Sequence, residues 1–145
     1  MPHRIFVLNG PNANRLGTRE THIYGTTTLA DIEAMCRDAA GSDEVQIRQS
    51  NAEHQIIDWT HEAIDTADGL IINPAAFTFY SIAIVDAFKM FDGPSIELHI
   101  SNLHTHGKMY HDSLVSPVVT AVMAGFGARG YPMAVKAIQI MLDDK

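Results

Sequence analysis

Cysteine is almost missing from this chain: Cys36 is the only one in 145 residues, which excludes an intrachain disulfide framework and a thiolate metal cage. Lying inside a helical pattern, it reads as a small buried hydrophobe. Charge is also scarce, at 19% of residues, below the roughly 25% of an average domain, which leaves surface free to be buried between subunits. Ten Lys and Arg stand against 17 Asp and Glu, for a net charge of −7. The basic residues are scattered, whereas a phosphate backbone or an anionic membrane needs them clustered, so neither nucleic acid nor membrane is an expected partner. No apolar run approaches the ~18 residues of a membrane-spanning helix, and no charged-then-apolar leader precedes the first strand pattern, so a cytoplasmic address is expected. Repeats, linkers and low-complexity stretches are absent, and the length suits a single domain over 1–145.

What is present alternates short β-rich runs with longer helix-period segments. Residues 4–9 (RIFVLN) form a continuous apolar run ended by Gly10-Pro11, the pattern of a strand buried on both faces. Residues 11–26 show no period and read as a long loop. Thr28 caps a helix over 29–40 that Gly41 stops. Residues 45–49 form a second strand, and Ser50 or Asn51 caps a helix over 53–66 with Ile56, Ile57, Trp59 and Ile64 available for its inner face. A third strand (69–73), a helix (81–91), a fourth strand (95–100), a polar loop (101–116) holding three histidines, a fifth strand (118–125) and a closing helix (131–142) complete the chain, with Gly127 and Gly130 making the last turn. Five strands alternating with helices imply right-handed crossovers and a parallel sheet covered on both faces. The expected fold is α/β, flavodoxin-like, with strand order 2-1-3-4-5, and such sheets bind ligands beyond the strand carboxyl ends at the switch point beside strand one.

Polar side chains gather at those ends. Asn9, Asn12, Asn14, Arg19 and Tyr24 follow the first strand; Gln49, Ser50 and Asn51 the second; Asn73 the third; and Glu97, His99, Ser101, Asn102, His104 and His106 end or follow the fourth. Turn chemistry alone accounts for single Asn and Gly residues, but convergence from four strands points to a small-molecule site. Glu97 and His99, two apart on a strand, share a face. A buried acid and imidazole need partners, so they read either as a structural hydrogen-bonded pair or as an acid/base pair near neutral pH. A tyrosine, with a pKa near ~10, serves as a base only if a cation stabilises its phenolate, and Arg19 is a candidate cation for Tyr24. The turn GPNANRLG is neither GxGxxG nor a P-loop, so no nucleotide cofactor is expected. His99, His104, His106 and His111 fit no zinc-ligand spacing, so no metal is expected.

Together the segments FVLNGPNANRLGTRETHIYG (6–25), QSNAEHQIIDW (49–59), IINPAAFTFYSIAIVDA (71–87), IELHISNLH (96–104) and GFGARGY (125–131) resemble the type II 3-dehydroquinate dehydratases of the shikimate and quinate pathways, nearly end to end. The resemblance implies a cofactor-free conversion of 3-dehydroquinate to 3-dehydroshikimate. Tyr24 matches the catalytic base, Arg19 the arginine that depresses its pKa, and Asn12 the residue that orders a water on the enolate oxygen. His99 matches the general acid, with Glu97 orienting the site. Asn73 and the amides of Ile100 and Ser101 match the cradle for the substrate carboxylate, and Asp86 matches an acid that reaches a neighbouring subunit's site. The family's trimers assemble into dodecamers, so a homo-oligomer of that kind is implied. Lys89, Lys108 and Lys136 lie off the motifs, against a lysine Schiff-base mechanism.

Several positions depart from the family pattern. Phe79 replaces a histidine, Ala75 a glycine, and His106 and Tyr110 two arginines; Arg15 replaces an apolar residue and His54 a glycine. Phe79 and Tyr110 stand where the family binds substrate hydroxyls. Exchanging imidazole for phenyl removes hydrogen-bonding atoms, and exchanging Arg for Tyr removes a charge and a fork of donors. Three readings follow: a 3-dehydroquinate dehydratase with an altered clamp, a lyase of the same mechanism on a less hydroxylated keto acid, and a non-catalytic small-anion-binding or assembly paralogue.

Overall fold

A computed structural model describes residues 1–144; Lys145, the end of the single domain read from the sequence, lies outside the described residues. Five strands, β1 (Arg4–Asn9), β2 (Glu44–Gln49), β3 (Gly69–Asn73), β4 (Ser95–His99) and β5 (Ala121–Ala124), form one parallel sheet in the order β2-β1-β3-β4-β5. That is the order expected from the sequence.

Alternation along the central strands divides the core in two. Ile5, Val7, Ile71, Ile96 and Leu98 face one layer, closed by Ile32 and Cys36 of α2 (Leu29–Ala40) and by Tyr131, Ala134, Val135 and Ile138 of α5 (Gly130–Asp143). Phe6, Leu8, Leu70 and Ile72 face the other, closed by Ile56 and Ala63 of α3 (Glu53–Thr66) and by Ile84, Val85 and Phe88 of α4 (Ile82–Phe88). β4 is buried throughout but only Ile96 and Leu98 are apolar, so Ser95, Glu97 and His99 occupy the face opposite them.

Helix ends follow their local chemistry in α2. Thr28 accepts from the Asp31 amide while Asp31 accepts from the Thr28 amide, and Gly41 ends the helix at φ 62°. Neither Ser50 nor Asn51 caps α3: Ala52 holds that position without a side-chain cap. The Asn51 carboxamide oxygen is engaged elsewhere, accepting from the Asn12 amide at 3.0 Å and from Gln49 Nε2 at 3.1 Å, so it ties the strand-one loop to the second strand. Of the residues assigned to the inner face of α3, Ile56 is buried, whereas Ile57, Trp59 and Ile64 are half-buried and Thr60 and Ala63 complete the stripe.

The loop at 11–26 is not structureless. It contains a 3₁₀ turn at Ala13–Arg15 and a single helical turn, α1 (Thr21–Tyr24). The helix expected over 81–91 is shorter at both ends: Ser81 is its cap, accepting from Ile84 N at 3.1 Å, and beyond Phe88 the chain tightens into turns in which Met90 donates to the Ala87 carbonyl and Phe91 to that of Phe88. The fifth strand begins later than expected because a 3₁₀ turn occupies Ser116–Val118. Where β1 and β3 end side by side, Gly10 donates to the Asn73 carbonyl at 2.7 Å, and a Cβ on Gly10 would lie 2.4 Å from the Pro74 oxygen. Only glycine permits that approach. No helix among the described residues is long and apolar enough to cross a membrane.

Candidate active site

At the carboxyl end of the sheet, beside the β1/β3 boundary, lies a cavity of about 290 Å³. It gathers Asn12, Arg19 and Tyr24 from the loop after β1, Asn73, Ala75 and Phe79 from the segment after β3, and His99, Ile100, Ser101, His106 and Tyr110 from β4 and beyond. Ten of the twelve site residues named from the sequence are thus brought together. Glu97 lies directly behind His99. Asp86 does not join this chain's cavity: it is exposed on α4, with Lys89 Nζ 3.6 Å away.

His99 and Glu97 form a buried pair, His99 Nε2 to Glu97 Oε2 at 2.5 Å. The carboxylate has two further partners that sequence reasoning missed: Ser113 Oγ donates to Oε2 at 2.8 Å, and Ser116 Oγ donates to Oε1. Burial alone would raise the Glu97 pKa. The hydrogen bonds from His99 and Ser116, the His99 charge and the Ser113 bond together outweigh it, and the carboxyl is held below its ordinary value. The signal was the strand itself, since a carboxylate on a fully buried strand has lone pairs that must find donors. With Nε2 turned to the carboxylate, Nδ1 is the imidazole's remaining nitrogen.

Tyr24 carries the Arg19 guanidinium over its ring, 4.5 Å from the centroid. The Arg19 charge pulls the phenol's pKa down, but it does not set the net direction. Burial raises it first, Arg19 lowers it by less, and Glu20 and Tyr110 add to the rise, so the net direction is upward. Arg19 is weakened in this role because its Nη2 lies 2.6 Å from Glu20 Oε1, which neutralises part of the charge.

The departures form a contiguous aromatic wall. The Phe79 ring is stacked on His99, centroids 6.4 Å apart and 27° from parallel; Tyr110 meets Phe79 edge-on at 5.5 Å, and His106 meets Tyr110 at 5.6 Å. His106 Nε2 is also 2.8 Å from Ser101 Oγ. Three non-glycine residues have left-handed backbones among those described, Asn12 (φ 72°), Glu20 (φ 34°) and Ala75 (φ 52°), and all three line this cavity. His104 and His111, which the sequence left aside, meet with tilted rings, centroids 5.5 Å apart, outside the cavity. No group of three or more His, Cys, Asp or Glu side chains among the described residues is arranged to hold a metal.

The fold and site define a small flavodoxin-like α/β protein whose cavity at the sheet's carboxyl end is lined by His99, Tyr24 and Arg19, with Glu97 paired to His99. The family model for class II dehydroquinases matches residues 3–139, and the chain belongs to that family. It is 51% identical over 142 residues to the 3-dehydroquinate dehydratase of Rhizobium meliloti (strain 1021), covering 96% of this chain and 95% of that protein. It is 53% identical over 137 residues to catabolic 3-dehydroquinase 1 of Fusarium vanettenii, covering 93% and 95%. The crystal structure of the type II dehydroquinase from Propionibacterium acnes superposes with a TM-score of 0.89 at 42% identity, covering 97% of this chain and 98% of that one.

Proposed function

We propose that this chain is a 3-dehydroquinate dehydratase that uses Tyr24 as base and His99 as acid. The single observation that carries the assignment of roles is that both side chains line one cavity, Tyr24 under the Arg19 guanidinium and His99 backed by Glu97. The Tyr24 phenolate removes a proton next to the ketone, and the electrons move onto the carbonyl oxygen as an enolate, with Asn12 placed to hold a water against it. As the enolate collapses, the C–O bond to the departing hydroxyl breaks and His99 supplies the proton that makes it water. Base and acid come from the chain and the oxyanion is met by a water that Asn12 holds, so the elimination balances without a cofactor. Asn73, Ile100 and Ser101 line the same cavity, which supports the Asn73 side chain and the Ile100 and Ser101 amides as the seat of the substrate carboxylate.

Relatives with about half their residues in common carry the names 3-dehydroquinate dehydratase and catabolic 3-dehydroquinase 1, which favours this reading over a different keto acid or a non-catalytic paralogue. The assay is absorbance of the conjugated enone formed from 3-dehydroquinate. Turnover in the ordinary range of roughly 1–10³ s⁻¹ is expected; binding of 3-dehydroquinate without turnover would overturn the proposal.

Three further parts of the reading go with it: a single domain, a cytoplasmic address, and a trimer-based dodecamer. The low charge fraction supports assembly, as do exposed Tyr80, Ile82 and Met90 around Asp86, and Val122 and Phe126 on and just after β5. Sedimentation velocity at several protein concentrations tests the oligomer.

A further inference from the structure

The hydroxyl of Tyr131 stands between two amides, and neither amide is free to choose its orientation. Tyr131 lies in the first turn of α5, with no exposure to solvent. It donates to Asn9 Oδ1 at 2.6 Å and accepts from Asn73 Nδ2 at 2.8 Å. Asn9 is fixed from its far side, because its Nδ2 donates at 3.2 Å to the Arg48 carbonyl, a group that can only accept. Turning the Asn9 amide over would set two acceptors against each other. Tyr131 has one hydroxyl proton, Asn9 takes it, and the tyrosine is left able only to accept from Asn73. Asn73 is fixed from its other end too, where its Oδ1 accepts from the Ala75 amide at 3.2 Å.

These bonds therefore run in one direction, from the Ala75 amide to the Arg48 carbonyl. The group of the Asn73 amide left over is its second N–H, on a residue that lines the cavity. Ile100 and Ser101 line the same cavity, and neither backbone amide donates to a turn or loop carbonyl among the described residues. Burial pushes the Tyr131 hydroxyl well above its usual range, despite the bond from Asn73, so the proton that sets the direction stays in place at working pH.

The geometry points to Tyr131 as a positioning residue that holds the Asn73 amide with an N–H toward the cavity, making that wall a seat for a carboxylate and not for an ammonium group. This inference rests on the proposed function only for the identity of the carboxylate. Without the hydroxyl, the longer bond from the Ala75 amide at 3.2 Å is left alone to hold the Asn73 amide, so the flipped orientation becomes less costly and the ligand must select against it.

Tyr131→Phe removes one oxygen and keeps the ring in the core. Its kinetics on 3-dehydroquinate are compared with wild type, together with calorimetric binding of quinate, a ring carboxylate that has no ketone to react. KM and the quinate Kd should each rise roughly tenfold while kcat stays within about twofold, because the hydroxyl acts through binding and not through the reacting atoms. Unchanged KM and Kd would overturn the inference. A wild-type protein that binds quinate but does not turn over 3-dehydroquinate would overturn the proposed function, and Tyr131 would then be judged on Kd alone. Should the variant not fold, the wild-type Asn73 side-chain amide protons give the answer by NMR. One of the pair should shift on adding quinate while the other stays with Tyr131; a shift of neither overturns the inference.

Discussion

Ser116 donates its hydroxyl to the carboxylate of Glu97, a residue 19 positions earlier that no solvent reaches. The bond is charge-assisted, and together with Ser113 and His99 it satisfies a carboxylate whose ionised form burial alone would disfavour.

Ser116→Ala should therefore lower stability by about 1–3 kcal/mol at neutral pH. The folded-state pKa of Glu97 is lowered, so its contribution is fully present above the unfolded value and is lost as pH falls through the folded one. The stability gap between wild type and variant should shrink accordingly. Urea denaturation at about pH 7 and about pH 3 measures both gaps; equal gaps would show that the serine does not act through the ionised carboxylate.

Tyr24→Phe removes the phenol but keeps the ring beneath Arg19. Turnover should fall by at least about 10²-fold, with ligand affinity nearly unchanged. Because the resting phenol is raised by burial, kcat/KM in wild type should climb with pH, and Arg19→Gln should move that limb to higher pH by removing the one group that lowers it. A pH–rate profile with the limb unmoved in Arg19→Gln would assign the base to another group.

Phe79→His combined with Tyr110→Arg replaces the edge-on aromatic pair with hydrogen-bonding and charged groups. KM for 3-dehydroquinate should drop roughly tenfold if substrate hydroxyls lie against this wall. No change in KM would mean that His106, already 2.8 Å from Ser101, supplies the contact instead.

Ala75→Gly should raise stability by about 0.5–1 kcal/mol, because Ala75 has φ 52°, where a Cβ crowds the backbone. Thermal denaturation of the two proteins, compared at the midpoint, reads this directly. A loss of stability would show that the greater freedom of glycine in the unfolded chain outweighs the relief.

Strand order and the crossovers were legible because parallel strands buried on both faces leave unbroken apolar runs such as RIFVLN, and Gly10-Pro11, Gly41 and Pro74 mark where they or their helices stop. β4 stood out for the opposite reason, since an acid and an imidazole alternate with Ile96 and Leu98 on a strand between apolar neighbours. The donors that complete Glu97 were not legible: Ser113 and Ser116 look like ordinary loop serines until the chain folds back over β4. Tyr131 was hidden in the same way, as its hydroxyl meets Asn9 across 122 positions of sequence. The net rise of the Tyr24 pKa was not legible either, because a sequence carries neither how deeply Tyr24 is buried nor that Glu20 turns to hold the same guanidinium.

Asn12, Glu20 and Ala75 concentrate the left-handed, non-glycine backbone of the described residues around one cavity. Each conformation costs roughly 1 kcal/mol or more. Selection for heat resistance and selection for turnover therefore pull on the same short stretches of chain. Variants chosen only for surviving high temperature should accumulate at the cavity rim and lose activity there, whereas the helices and the far ends of the strands can be reinforced without touching the chemistry.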